Sequence, residues 1–116
     1  MDYKNLIAWQ QSIELTKNIY ALIKDFPPEE KYAISDQMRR AVVSIPSNIA
    51  EGCGRQTKKE AKHFFYIAQG SLYELDTQLL ICQELGYMDD LHAWKLFDLT
   101  DYIHRMLVKL INRYDD

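Results

Sequence analysis

Hydrophobic and polar positions alternate at helical spacing along almost the whole chain. Placing residues about 100° apart puts Ile34, Met38, Ala41, Val42, Ile45 and Ile49 within one narrow arc. Gln37, Arg40, Ser44, Asn48 and Glu51 fall on the neighbouring flank, bordering the apolar arc instead of facing away from it. Polar groups at a core boundary need partners, so this flank predicts contacts with another helix. A second stripe runs through Ala61, Phe64, Phe65, Ala68, Leu72, Leu75, Leu79 and Cys82, and a third through Leu96, Leu99, Ile103, Met106, Leu107, Leu110 and Tyr114. Both have the width expected for one face of a buried helix.

Punctuation between the stripes predicts four helices. The first runs from about Leu6 to Asp25, with Asn5 as N-cap, and stops before Phe26-Pro27-Pro28 because proline excludes helix from the residue before it. The second starts near Pro28 or Glu29 and ends at Glu51-Gly52. Pro46 lies inside it, removes the hydrogen bond to Val42, and predicts a kink on the side beside Arg39, away from the apolar stripe. Thr57-Lys58-Lys59-Glu60 is a capping box that opens the third helix, which runs to Leu85 with Gly86 as its stop. The fourth runs from about Asp90 to Arg113. Short links between long helices predict an all-α, antiparallel up-down-up-down four-helix bundle filling one domain, residues 1–116.

The first helix breaks the pattern. Leu6, Trp9, Ile13, Tyr20 and Ile23 occupy one face and Leu15, Ile19, Leu22 and Phe26 another, an apolar arc of about 200°, roughly twice what one core needs. Either this helix is sunk deeply between its neighbours or one face packs on a second copy. The second reading predicts a homo-oligomer with Leu15, Ile19, Leu22 and Phe26 at the interface.

Composition narrows the field. No apolar run approaches the ~18 residues of a membrane span, and Met1-Asp2-Tyr3-Lys4-Asn5 lacks the basic start of a signal peptide, which predicts a cytoplasmic protein with no membrane partner. Cys53 and Cys82 read as free thiols, separated by the bundle topology. A net charge of −3 argues against a uniformly nucleic-acid-binding surface, yet charge is unevenly distributed.

One segment carries a family signature. An arginine and a serine-isoleucine step lead into Asn48-Ile49-Ala50-Glu51-Gly52, then Arg55, and one helix later Gly70-Ser71-Leu72-Tyr73-Glu74-Leu75. With the opening Leu6-Ile7-Ala8-Trp9-Gln10 and the Leu85-Gly86-Tyr87 turn, the chain resembles, over nearly its whole length, the 23S rRNA-intervening-sequence protein family, also called four helix bundle proteins. The resemblance implies a small cytoplasmic bacterial four-helix protein that assembles as a pentamer, without established enzymatic activity. Some relatives in that family are encoded inside rRNA genes; others, the accessory variability determinant proteins, work with a reverse transcriptase and nucleic acid.

Candidate chemistry lies in the polar flank and in the charge map. Arg40, Ser44, Asn48 and Glu51, with Ser71 and Glu74 opposite, form either a structural polar network or a ligand-contacting surface. Counting outward from the turn near Gly54 predicts an Arg40–Glu74 ion pair, with Gly70 as a point of close helix approach. The motifs Glu60-x-x-His63 and Asp89-x-x-His92 start helices at opposite ends of the bundle, so they predict surface histidines and no metal site. No nucleophile motif or phosphate-cradling loop is present, so neither an enzyme, a cofactor nor a small-molecule substrate is expected.

Arg39, Arg40, Arg55, Lys58, Lys59 and Lys62 face only Glu51 and Glu60 in the same stretch. An antiparallel bundle brings Arg105, Lys109 and Arg113 to the same pole and gathers Asp25, Glu29, Glu30, Glu84, Asp89 and Asp90 at the other. The dipole of the fourth helix accounts for its basic end. It does not account for Lys58, Lys59 and Lys62, which sit at a helix start, where cations are disfavoured. The sequence therefore predicts a non-enzymatic oligomeric scaffold that binds RNA or a ribonucleoprotein through Arg55, Lys58, Lys59, Lys62, Arg105, Lys109 and Arg113. A protein-binding scaffold without nucleic-acid contact is the alternative.

Overall fold

Buried side chains recur at alternating steps of three and four residues in each long helix, the spacing that lets antiparallel helices interlock along a seam. The computed structural model describes residues 2–115. Four α-helices follow one another: α1 (Ile7–Ile23), α2 (Ile34–Cys53), α3 (Lys58–Glu84) and α4 (Asp90–Arg113). Short 3₁₀ turns at Tyr3–Asn5 and Pro28–Glu30 precede α1 and α2. Each helix packs on its sequence neighbours and α4 returns against α1, leaving α1–α3 and α2–α4 as the diagonals. Ala61, Phe65, Ala68, Leu72, Leu75, Leu79 and Cys82 of α3 meet Leu96, Ile103, Leu107 and Leu110 of α4 in one core.

Direction follows from which ends touch. Residues of the Asn5–Ala8 segment share a groove with Lys109 and Arg113, and Phe65 near the start of α3 stacks edge-on against Tyr114 at 5.1 Å. The starts of α1 and α3 and the end of α4 therefore lie at one pole. At the other, Phe26 after α1 packs on Tyr87 in the α3–α4 link at 5.2 Å. This is the expected up-down-up-down four-helix bundle, 46 Å long. Among the described residues no helix is long and apolar enough to cross a membrane.

The later boundaries match the sequence closely. Thr57 caps α3 by accepting the Glu60 N–H at 3.1 Å. At its end Gly86 takes a φ of 77°, while the Tyr87 N–H donates to the Cys82 carbonyl and the Gly86 N–H to that of Gln83. That pairing closes the last turn, and only glycine enters its left-handed conformation cheaply.

The first half departs from expectation in four places. Asn5 does not cap α1: Leu6 occupies the N-cap without a side-chain bond, and Asp2 caps the preceding turn by accepting the Lys4 N–H. The acidic residues Glu29 and Glu30 are used up in a 3₁₀ turn, so α2 begins at Ile34. Pro46 is buried, lining a groove with Trp9, Ile13 and Thr16 of α1. Because α2 has α1 on one flank and α3 on the other, a side beyond its apolar stripe is also covered.

The fourth departure concerns α1. Leu15 and Ile19 are fully buried, Phe26 nearly so and Leu22 half-buried, all inside this chain's own bundle. The stripe assigned to a subunit interface is the intramolecular core face. Trp9 and Ile13 on the other face lean toward α2, leaving Ile7 and Tyr20 exposed.

Candidate nucleic-acid interface

The link between α2 and α3 is short, so Arg55 and the first turns of α3 project from one end of the bundle. Arg55 forms an ion pair with Glu51 one turn back and lays its guanidinium over the Phe64 ring, 4.5 Å from the centroid. Thr57 starts α3 immediately afterwards, which places Lys58, Lys59 and Lys62 in its first two turns. These lysines line a cavity of about 430 Å³ with His63, Tyr66 and Tyr114. Lys62 also pairs with Asp115, a carboxylate arriving from beyond α4 that offsets part of the unfavourable charge at this helix start.

The end of α4 supplies the remaining cations. Lys109 and Arg113 line a second groove, about 260 Å³, against Asn5, Leu6, Ile7 and Ala8. Arg105 lies roughly 12 Å before Arg113 along the helix and pairs with Asp101 at 3.3 Å, so it belongs to the flank of the bundle. The structure thus brings Lys58, Lys59 and Lys62 together on one side of the α4 end and Lys109 and Arg113 on the other. The result is a basic rim, with Arg105 set apart from it. Burial raises the Tyr114 hydroxyl above its ordinary value, with the nearby Cys53 thiol adding to the shift. At the far pole Asp25 and Asp89 line a cavity of about 410 Å³ with His92 and Lys95, and burial, then Glu30 and Glu29, raises the Tyr87 hydroxyl.

The polar flank of α2 divides. Ser44 and Ser71 hydroxyls meet across α2 and α3 at 2.8 Å, and the Asn48 amide donates to the Ser44 carbonyl at 2.8 Å and its hydroxyl at 2.9 Å. Arg40 does not reach Glu74. It bonds Asp36 one turn earlier at 3.0 Å, while Glu74 accepts from Gln78 at 3.3 Å. Neighbours four residues apart on one helix meet without any tertiary positioning, and that local partner wins. Nor does Gly70 mark a close approach, since a Cβ there would meet nothing within 4 Å. The close approach is at Gly52, where a Cβ would lie 2.6 Å from the Phe65 ring and 2.9 Å from the Ala61 carbonyl oxygen.

Sequence reasoning missed a polar pair in the α3–α4 seam. His104 Nε2 and Asp76 Oδ2 lie 2.9 Å apart, with the Tyr73 ring 4.4 Å from the imidazole. The register that sets Phe65 beside Tyr114 and Lys62 beside Asp115 also sets Asp76 beside His104, so counting across the Gly86 turn was the available signal. Asp89 and His92 bond each other at 2.9 Å at the start of α4. Among the described residues no group of three or more His, Cys, Asp or Glu side chains is placed to hold a metal ion. Cys82 is buried against the Met38 sulfur at 3.6 Å, and burial, then Glu30, pushes its thiol up to about 11.

The family model for the 23S rRNA-intervening sequence protein matches residues 4–109, nearly the full length. The chain belongs to that family. Among solved structures, a protein of unknown function from the S23 ribosomal protein family of Bacteroides thetaiotaomicron is similar, with a TM-score of 0.83. It is 23% identical, and the match covers 90% of this chain and 98% of that one, which shows the shared fold. No curated protein matches. The family signature and the basic pole meet at Arg55, which follows the Asn48–Gly52 segment and pairs with its Glu51.

Proposed function

We propose that this member of the 23S rRNA-intervening sequence protein family is a non-enzymatic, oligomeric, cytoplasmic scaffold that contacts RNA or a ribonucleoprotein through its basic pole. The observation that carries the reading is the gathering of Arg55, Lys58, Lys59, Lys62, Lys109 and Arg113 at one end, opposite an acidic end. Contacts of this kind go to phosphates and carry no sequence information. Internal carboxylates pair with several of these cations, so one copy binds weakly; several copies in an assembly act together. The runner-up, a scaffold for a protein partner, draws on exposed apolar side chains elsewhere, among them Leu80, Leu91 and Trp94.

Fluorescence anisotropy with labelled RNA and DNA separates the two. About four phosphate contacts predict that affinity for a single strand falls roughly 50-fold between 50 and 200 mM salt. Lys58→Glu combined with Lys59→Glu and Lys62→Glu is expected to remove most of the binding with the helical signal intact. Equal binding by the triple variant, or none by the wild type, overturns the nucleic-acid reading in favour of the protein-binding scaffold.

A further inference from the structure

Beside the lysines, the cavity at the start of α3 is walled by aromatic side chains. Phe65 is fully buried and takes the edge of Tyr114, so the core is satisfied without the next residue. Tyr66 points away from Phe65, is 52% exposed, and lines the cavity with Lys58, Lys59, Lys62 and His63. Side chains on a helix lean toward its N-terminus, so the Tyr66 ring covers the turn that carries Lys62 and His63. The residue that would in turn lean over Tyr66 is one turn further on, at position 70. That residue is Gly70, and nothing stands within 4 Å of where its Cβ would be. A glycine within a helix costs about 1 kcal/mol relative to alanine. No packing contact at Gly70 explains that cost, whereas Gly52 has one. With glycine at position 70, no side chain one turn further on leans over Tyr66.

We propose that the basic pole takes an unpaired, single-stranded stretch of nucleic acid, with a base stacked on the Tyr66 ring over Gly70 and the adjoining phosphates held by Lys58, Lys59 and Lys62. This rests on the nucleic-acid reading above and narrows its substrate class. A backbone-only site for a duplex needs cations and no exposed ring, because paired bases are already stacked inside the helix. An exposed aromatic face beside a basic groove is what single strands use, since every base has a π-face to offer.

Anisotropy with fluorescein-labelled oligouridylate and with an RNA duplex of equal length, at one fixed low salt concentration, tests this. The single strand is expected to bind more tightly than the duplex. Tyr66→Ala and Gly70→Leu should each weaken single-strand binding by about tenfold and leave duplex binding unchanged, while Tyr66→Phe retains it. Gly70→Leu fills open space, so it covers the ring without disturbing the fold, and circular dichroism checks this. Equal binding of both RNAs with Tyr66→Ala silent overturns the stacking site while the phosphate-binding pole stands. Loss of both RNAs together in Tyr66→Ala also overturns it. Binding of neither RNA by the wild type removes the nucleic-acid reading and this inference with it.

Discussion

Two glycines in adjacent helices do opposite things, and the difference is measurable. Gly52 lies where α2 and α3 press together, so an added methyl meets both the Phe65 ring and the Ala61 backbone oxygen. Backbone cannot give way as a side-chain tip can, and Gly52→Ala is expected to destabilise by about 1–3 kcal/mol through overpacking. Gly70→Ala meets nothing and gains helix propensity, so it should stabilise by up to about 1 kcal/mol. Urea unfolding of the two variants checks both signs; the reverse order would show that the α2–α3 contact is misplaced. The sequence reads Gly52 as the end of the second helix and Gly70 as the close approach, and the close approach proves to be at Gly52. What distinguishes them is the distance between two backbones, which no periodicity encodes. The Arg40 reading failed for a related reason: the nearest acidic partner, Asp36, is a neighbour one turn earlier on the same helix.

At the scale of elements, boundaries set by side-chain chemistry were legible and faces set by competition were not. Thr57 and Gly86 begin and end α3 by a specific hydrogen bond or torsion, and both stand out in the sequence; Asp89 caps α4 by the same kind of bond but is not marked as a cap by the sequence pattern. Asp89 also gives α4 a pH signature. The His92 backbone N–H, and next its imidazole, bond the carboxylate and hold its pKa below the usual value. A group depressed in the folded state stabilises above the ordinary carboxylate pKa, about 3.9, and that contribution is lost as pH falls through the folded value. Asp89→Asn keeps a capping oxygen without the charge, so the acid-induced drop in its urea midpoint should be shallower than in wild type. An identical acid limb in both proteins would show that the cap does not depend on charge. For α1 the sequence offered two apolar faces of similar strength. The choice between them came from neighbours on two sides: α2 takes Trp9 and Ile13, the core takes Leu15 and Ile19.

The whole molecule is polarised, and that polarity follows from helix number and direction. Four rods joined by short links put the start of α3 beside the end of α4, so the basic rim was legible once the bundle was. Its compensation by Asp115 was not, because that residue follows the last helical turn and its position depends on where α4 stops. Association of copies is the remaining expectation at this scale. With the Leu15 stripe used internally, oligomerisation must draw on outer apolar residues, of which Trp94 (65% exposed) is the most open tryptophan. Light scattering is expected to return a mass that is a multiple of 13.7 kDa, and a value of one chain would leave the scaffold without its multivalency.

An even number of alternating rods also returns the backbone to its starting side, where Asn5 and Arg113 border a common groove. Joining Tyr3 to Tyr114 through a few added residues and reopening the chain at the Leu85–Asp89 turn would therefore keep all four rods in place. Such a permuted molecule moves any purification handle to the acidic tip. A handle attached at either end of this sequence would instead hang across the lysines and mask the phosphate contact.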